Sequence, residues 1–149
     1  MSRSGYVDDY DDWSLIRWRG AVASALRGKR GQAFLREMLA ALDALPQPRL
    51  IAGEIVTEAG EVCAIGSVAR ARGMDVSDLD ETERELVAER FGIAEAMAAE
   101  IAYINDEGAV RTETPEQRFI RVRAWIESEL ASGSSISRSP LESTWSRRS

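Results

Sequence analysis

The chain has 149 residues, 25 acidic against 19 basic, with a formal charge of −6 and a 44% hydrophobic content. That length and balance fit one soluble domain with an ordinary core, and the net charge argues against a general coat for polyanions or an anionic membrane surface. There is no histidine and a single cysteine, so neither a Ser/His/Asp or Cys/His nucleophile system nor a Cys/His zinc site can be assembled within the chain.

Residues 1–12, with four aspartates in "YVDDYDD", read as a flexible acidic arm. A helix is expected over about 14–27, where Leu15, Trp18, Val22, Ala25 and Leu26 recur at three- and four-residue spacing. After "GKRG", a second helix over about 31–45 repeats the pattern with Leu35, Met38, Leu39, Leu42 and Leu45, and "PQP" stops it. The pair reads as an antiparallel helical hairpin.

The middle of the chain satisfies two templates. An extended piece over about 50–56, then an "EAGE" turn and a helix over about 61–72 closed by Gly73, is one reading. A two-stranded hairpin across Gly60 is the other. Next come a polar "MDVSDLDE" stretch and a helical region over about 79–104, interrupted near Gly92. A last helix begins at "TPEQ", where Thr114 can cap, Pro115 suits the first helical position and Gln117 completes a capping box. From Ser132 the chain is rich in Ser and Arg without periodicity and reads as a disordered tail over 132–149. The expected fold is therefore mainly α. It is a small helical domain over 13–131, built on the N-terminal hairpin, with a short strand or hairpin as the alternatives for its middle.

Cys63 lies in an apolar run without a disulfide partner, which suits a buried thiol in a cytoplasmic protein. The amino terminus is not that of a signal peptide, and no apolar run approaches a membrane span. Of the four tryptophans, two fall on helical apolar faces; they suit a core or a dimer interface, with the core favoured.

"ELVAERFGIAEAMAAEIAYI" has helix-turn-helix spacing, yet its reading helix offers Glu95 and Glu100 and no Arg, Lys, Asn or Gln before Asn105. Asp75 to Glu107 holds eleven acids against two arginines, which would repel DNA. An EF-hand counted from Asp75 fails, because Leu79 and Asp80 fall where an oxygen ligand and Gly are needed. "RGKRG" lacks the P-loop pattern, and the carboxylates Glu54, Glu58 and Glu61, or Asp106 and Glu107, have no diagnostic catalytic spacing.

Two charged surfaces are left as candidates. Arg17, Arg19, Arg27, Lys29 and Arg30 can form a basic patch at the hairpin tip, suited to phosphates or to a carboxylate-rich protein, or able simply to neutralise the acidic half of the chain. Glu83, Glu85, Glu89 and Glu95 form an acidic surface that could mimic nucleic acid or be an ordinary solvated face. No catalytic residue, metal ligand or cofactor is expected.

Several blocks resemble a family of small accessory proteins of tailed bacteriophages and prophages, without an established activity. They are "MSRSGY", "IRWRGAVASALRGKRGQAFLREMLAALDALP", "EVCAIGSVARARG", "VAERFGIAEAM", "NDE" and "TPEQR", spread over about residues 1–127. The long block is the specific one; Phe119 stands where a Trp is expected in similar proteins. The resemblance implies a setting, the cytoplasm of a bacterial host, in which small proteins bind host factors stoichiometrically and inhibit defence systems. The leading expectation is a non-catalytic phage protein that binds a host protein or nucleoprotein, and the alternative is an accessory factor of phage DNA or RNA metabolism touching nucleic acid through the basic tip.

Overall fold

A computed structural model describes residues 12–107 and 112–137; the acidic arm before Asp12 and the tail beyond Ser137 lie outside the described residues. Six helices follow in order: α1 (Asp12–Arg27), α2 (Lys29–Asp43), α3 (Ala64–Arg72), α4 (Arg84–Phe91), α5 (Glu95–Glu107) and α6 (Pro115–Ser137). The architecture is mainly helical, and no strand is present among the described residues.

The expected apolar stripes face the core. Trp18, Val22 and Leu26 of α1 are buried with Leu35, Met38 and Leu42 of α2, Met97 and Ile101 of α5, and Val122 and Ile126 of α6. α2 packs on α3 and α6, while α5 takes α1 on one side and α4 on another. Each fully buried Leu, Ile, Val or Met contributes about 1.5–3 kcal/mol of apolar transfer. Trp125 is only partly buried, against the edge of the core.

α2 begins at Lys29, earlier than the expected 31, so Lys29 and Arg30 occupy its first turn and Gly28 alone separates it from α1. This tight junction depends on Gly31: a Cβ there would stand 1.8 Å from the Ala25 carbonyl oxygen and 3.2 Å from that of Leu26. Gln32 donates from Nε2 to the Leu26 carbonyl at 2.7 Å, satisfying an acceptor at the end of α1.

The middle segment departs from the expected helix start at 61. Val56 and Val62 form an isolated antiparallel bridge across the Thr57–Gly60 turn, and the Cys63 and Ile51 amides donate to the Ile55 and Val62 carbonyls. These backbone pairings hold residues 61–63 extended, so α3 starts at Ala64 with Cys63 as its N-cap, its Sγ accepting from the Gly66 amide. Gly66 is obligatory there, because its missing Cβ would lie 2.1 Å from the Ile55 carbonyl oxygen. Gly73 ends α3 at φ 68°, in the left-handed region that favours glycine.

The helical region expected from about 79 starts later, at Arg84. Asp75 and Asp80 each accept from the backbone amide two residues on, Ser77 and Thr82, and these turns bend the chain before α4 can form. Gly92, at φ 74°, separates α4 from α5 as expected. Arg72 then ties three helices: it forms a two-pronged pair with Glu37 of α2 and lies 5.8 and 5.7 Å from the ring centres of Phe34 and Phe91.

Before α6, Thr114 Oγ1 accepts from the Gln117 amide and the Thr114 amide donates back to Gln117 Oε1, the reciprocal capping box that the sequence implied. Thr114→Ala is expected to lower the stability by about 1 kcal/mol, and Thr114→Ser to restore most of it, measured by urea denaturation. α6 continues to Ser137, into the stretch expected to lack structure. Its Arg118 and Arg121 donate to the Asn105 and Ile104 carbonyls at the end of α5, with Glu113 holding both guanidinium groups.

Candidate functional site

The five candidate cations are all exposed, and none lies within an ion-pair distance of 4.0 Å from a described carboxylate. Most of the other described arginines are engaged: Arg72 by Glu37, Arg90 by Asp78, Arg123 by Asp43, Arg118 and Arg121 by Glu113, and Arg49 by Glu61. Arg36 and Arg70 are likewise exposed, with no ion pair to a described carboxylate. Arg27, Lys29 and Arg30 gather at the α1–α2 junction. Arg17 and Arg19 do not join them, since ten helical residues separate Arg17 from Arg27 by about 15 Å along α1.

The junction is not flat. Ser24 of α1 and Lys29 and Arg30 of α2 stand around a notch of about 190 Å³ floored by Ile93, Ala94 and Met97, where the chain turns into α5. The first turn of α2 carries two cations, no acid and no side-chain cap. Cations are disfavoured at the positive end of a helix dipole, so an arriving anion would be doubly stabilised.

The acidic candidates Glu83, Glu85, Glu89 and Glu95 are also exposed, spread from the start of α4 to the first turn of α5. The aspartates before them have structural work instead: Asp75 and Asp80 hold turns, and Asp78 pairs with Arg90 at 2.9 Å, which keeps its carboxyl below the usual range. Glu54, Asp78, Asp80 and Glu81 border an open trough of about 360 Å³ between residues 53–56 and 76–81.

A third constellation had no counterpart in the spacing of the sequence. Asn105 and Asp106, near the end of α5, face Glu81, Arg84 and Cys63 around a cavity of about 20 Å³, room for a single water. Asn105 is 2% exposed, and its Oδ1 accepts from the Ala64 amide at 3.0 Å while its Nδ2 donates to the Ile51 carbonyl at 2.9 Å and to Asp106 Oδ1 at 2.7 Å. The Gly53 amide also donates to Asp106 Oδ1, at 3.4 Å. One amide side chain thus joins the extended segment, the start of α3 and the end of α5.

Burial, then a hydrogen bond to Asp106 and the Asp106 charge, push Glu81 up to about 8, against a downward pull from Arg84. Glu81 therefore carries a proton at neutral pH and donates it toward the Asp106 carboxylate. Arg84 Nε is buried without a hydrogen-bond partner among the described residues. Burial raises the Cys63 thiol to about 12, and Glu81 and Asp106 add to the effect, so this thiol is an unreactive core group and helix cap. The cluster can store a proton and join elements; its cavity leaves no room for a substrate.

No group of three or more His, Cys, Asp or Glu side chains converges as a metal cage among the described residues, and none of their helices is long and apolar enough to cross a membrane. No protein-family model, curated protein or solved structure matches the chain.

Proposed function

We propose that this is a phage-encoded, non-catalytic binding protein that acts stoichiometrically on a host protein or nucleoprotein in the bacterial cytoplasm, with an inhibitor of a host defence system as its specific role. The observation that carries the contact surface is the cluster of Arg27, Lys29 and Arg30, exposed at one helical junction: Lys29 and Arg30 have no ion pair among the described residues and Arg27 only the more distant charge of Glu129, while Arg72, Arg90 and Arg123 are each held by a carboxylate. Charges kept free of internal pairs contribute little to folding and are available to a partner. The phage setting rests on the sequence blocks quoted above. An antiparallel disposition of α1 and α2, which would set the junction out as a tip, belongs to the same reading.

The alternative is an accessory factor of phage DNA or RNA metabolism that holds phosphates through the same tip. The acidic surface of Glu83, Glu85, Glu89 and Glu95 is the second contact candidate, as a nucleic-acid mimic. Affinity capture of the tagged protein from a bacterial lysate, with and without nuclease, tests these readings. A stoichiometric host protein is expected to survive nuclease and to be lost with the Arg27→Ala/Lys29→Ala/Arg30→Ala variant. Nucleic acid whose recovery shows a steep salt dependence, reduced in that variant, would favour the alternative. Capture that is unchanged by the variant but lost on reversing Glu83, Glu85, Glu89 and Glu95 would move the contact to the acidic face.

A further inference from the structure

We propose that the notch at the α1–α2 junction seats one apolar side chain of a protein partner, with carboxylates flanking that side chain held by Lys29 and Arg30. This rests on the reading of the tip as a contact surface and specifies the kind of partner it takes. The floor supplies the first half of the specificity. Ile93, Ala94 and Met97 offer carbon where Ser24, Lys29 and Arg30 offer polar atoms around the opening. At about 190 Å³ the notch is smaller than the ~300 Å³ at which pockets for drug-sized ligands begin. It suits a single anchoring residue of the kind that dominates protein interfaces.

Charge supplies the second half. Lys29 and Arg30 have no carboxylate partner among the described residues and sit in the first turn of α2, where the helix dipole is positive and the first turn provides neither an acid nor a capping side chain. A carboxylate there relieves the repulsion and pairs with ammonium or guanidinium at once. A nucleic-acid backbone is the poorer occupant. Its phosphates would engage the cations alone, and the apolar floor would stay uncovered.

The test is selection from a displayed random-peptide library against the full chain, followed by fluorescence anisotropy with the enriched peptides. Sequences with an apolar residue between acids are expected. Ser24 is exposed on α1 at the edge of the notch, so Ser24→Trp blocks the seat without touching a buried residue or the cations. It should weaken the peptide about tenfold or more. Ser24→Glu, which places a carboxylate beside the cations that are to hold the peptide's acids, should weaken it too, with thermal melts showing that each variant is folded. Absence of enrichment, peptides without acids, or binding to folded Ser24→Trp and Ser24→Glu as tight as to the wild type would overturn the inference, as would displacement of the peptide by a stoichiometric single-stranded oligonucleotide. A lysate target lost with the triple alanine variant but retained by Ser24→Trp would overturn the notch alone and leave the tip as the contact surface.

Discussion

Gly31→Ala is expected to destabilise the fold by on the order of 3 kcal/mol or more, the larger effect of the two glycine-to-alanine changes within α1 and α2. Two terms oppose each other. In a helix, Ala is better than Gly by about 1 kcal/mol, because Gly has more backbone freedom to lose. Against that, the added Cβ would stand 1.8 Å from the Ala25 carbonyl oxygen and 2.9 Å from its carbon, and both are backbone atoms that cannot rotate away. Relief requires α2 to move off α1. That movement carries Leu35 and Met38, both 0% exposed, and Phe34 out of their packing. The close contact therefore outweighs the propensity gain. Urea denaturation should show the loss, while Gly20→Ala, at an α1 position where a Cβ meets nothing within 4 Å, should be neutral or stabilising. Equal behaviour of the two variants would remove the junction from the determinants of the fold. Because Lys29 and Arg30 lie beside Gly31, Gly31→Ala should also weaken any ligand of the α1–α2 junction.

How far the sequence could reach is clear from particular residues. The periodicity of Val22, Leu26, Leu35, Met38 and Leu42, the capping box of Thr114 and Gln117, and the closing role of Gly73 are local signals, carried within a few residues, and each has the expected local role. The later start of α3 was harder to read because it depends on pairings between Ile51 or Ile55 and residues 62–63, fixed by packing rather than by neighbouring sequence. The start of α4 has a legible local signal: Asp75 and Asp80 stand two residues before the amides they bind. Exposure of the charged candidates follows from their angles on the helices; the separation of Arg17 from the α1–α2 junction follows from helix rise. The Glu81–Asp106 pair was not legible at all. The two lie on different elements, and nothing in their spacing marks them as neighbours until α4 has folded against α5.

That pair gives the second large effect: stability should fall as pH rises from about 4.5 to about 8, and Glu81→Gln should abolish much of the fall. In the folded chain Glu81 keeps its proton to about 8, against an ordinary value of 4.5, so across this interval the native state binds a proton that the unfolded chain has released. Each step up in pH then favours unfolding, and the dependence from this group is flat below and above the interval. The full shift would amount to about 5 kcal/mol, and solvent screening at this half-buried position brings the expected loss to about 2 kcal/mol. The groups that face Glu81 are Asp106 on α5, Arg84 on α4, Asp80 on its own loop and Cys63 ahead of α3. Glutamine keeps a donor toward Asp106 and cannot ionise. Denaturation midpoints of Glu81→Gln and wild type should therefore coincide near pH 4.5 and diverge toward pH 8, with the variant more stable. Asp106→Asn should show the same divergence in weaker form, since it removes the charge opposing Glu81 but leaves the burial. Glu37, Asp43 and Glu113, held below the usual range by their arginines, act only in more acidic solution, and Glu129, raised by burial, cancels in the comparison of variant with wild type. Parallel profiles for Glu81→Gln and wild type would mean that the two carboxyl groups do not share a proton. Divergence would make the join between the loop before α4 and the end of α5 a pH-dependent element of the fold.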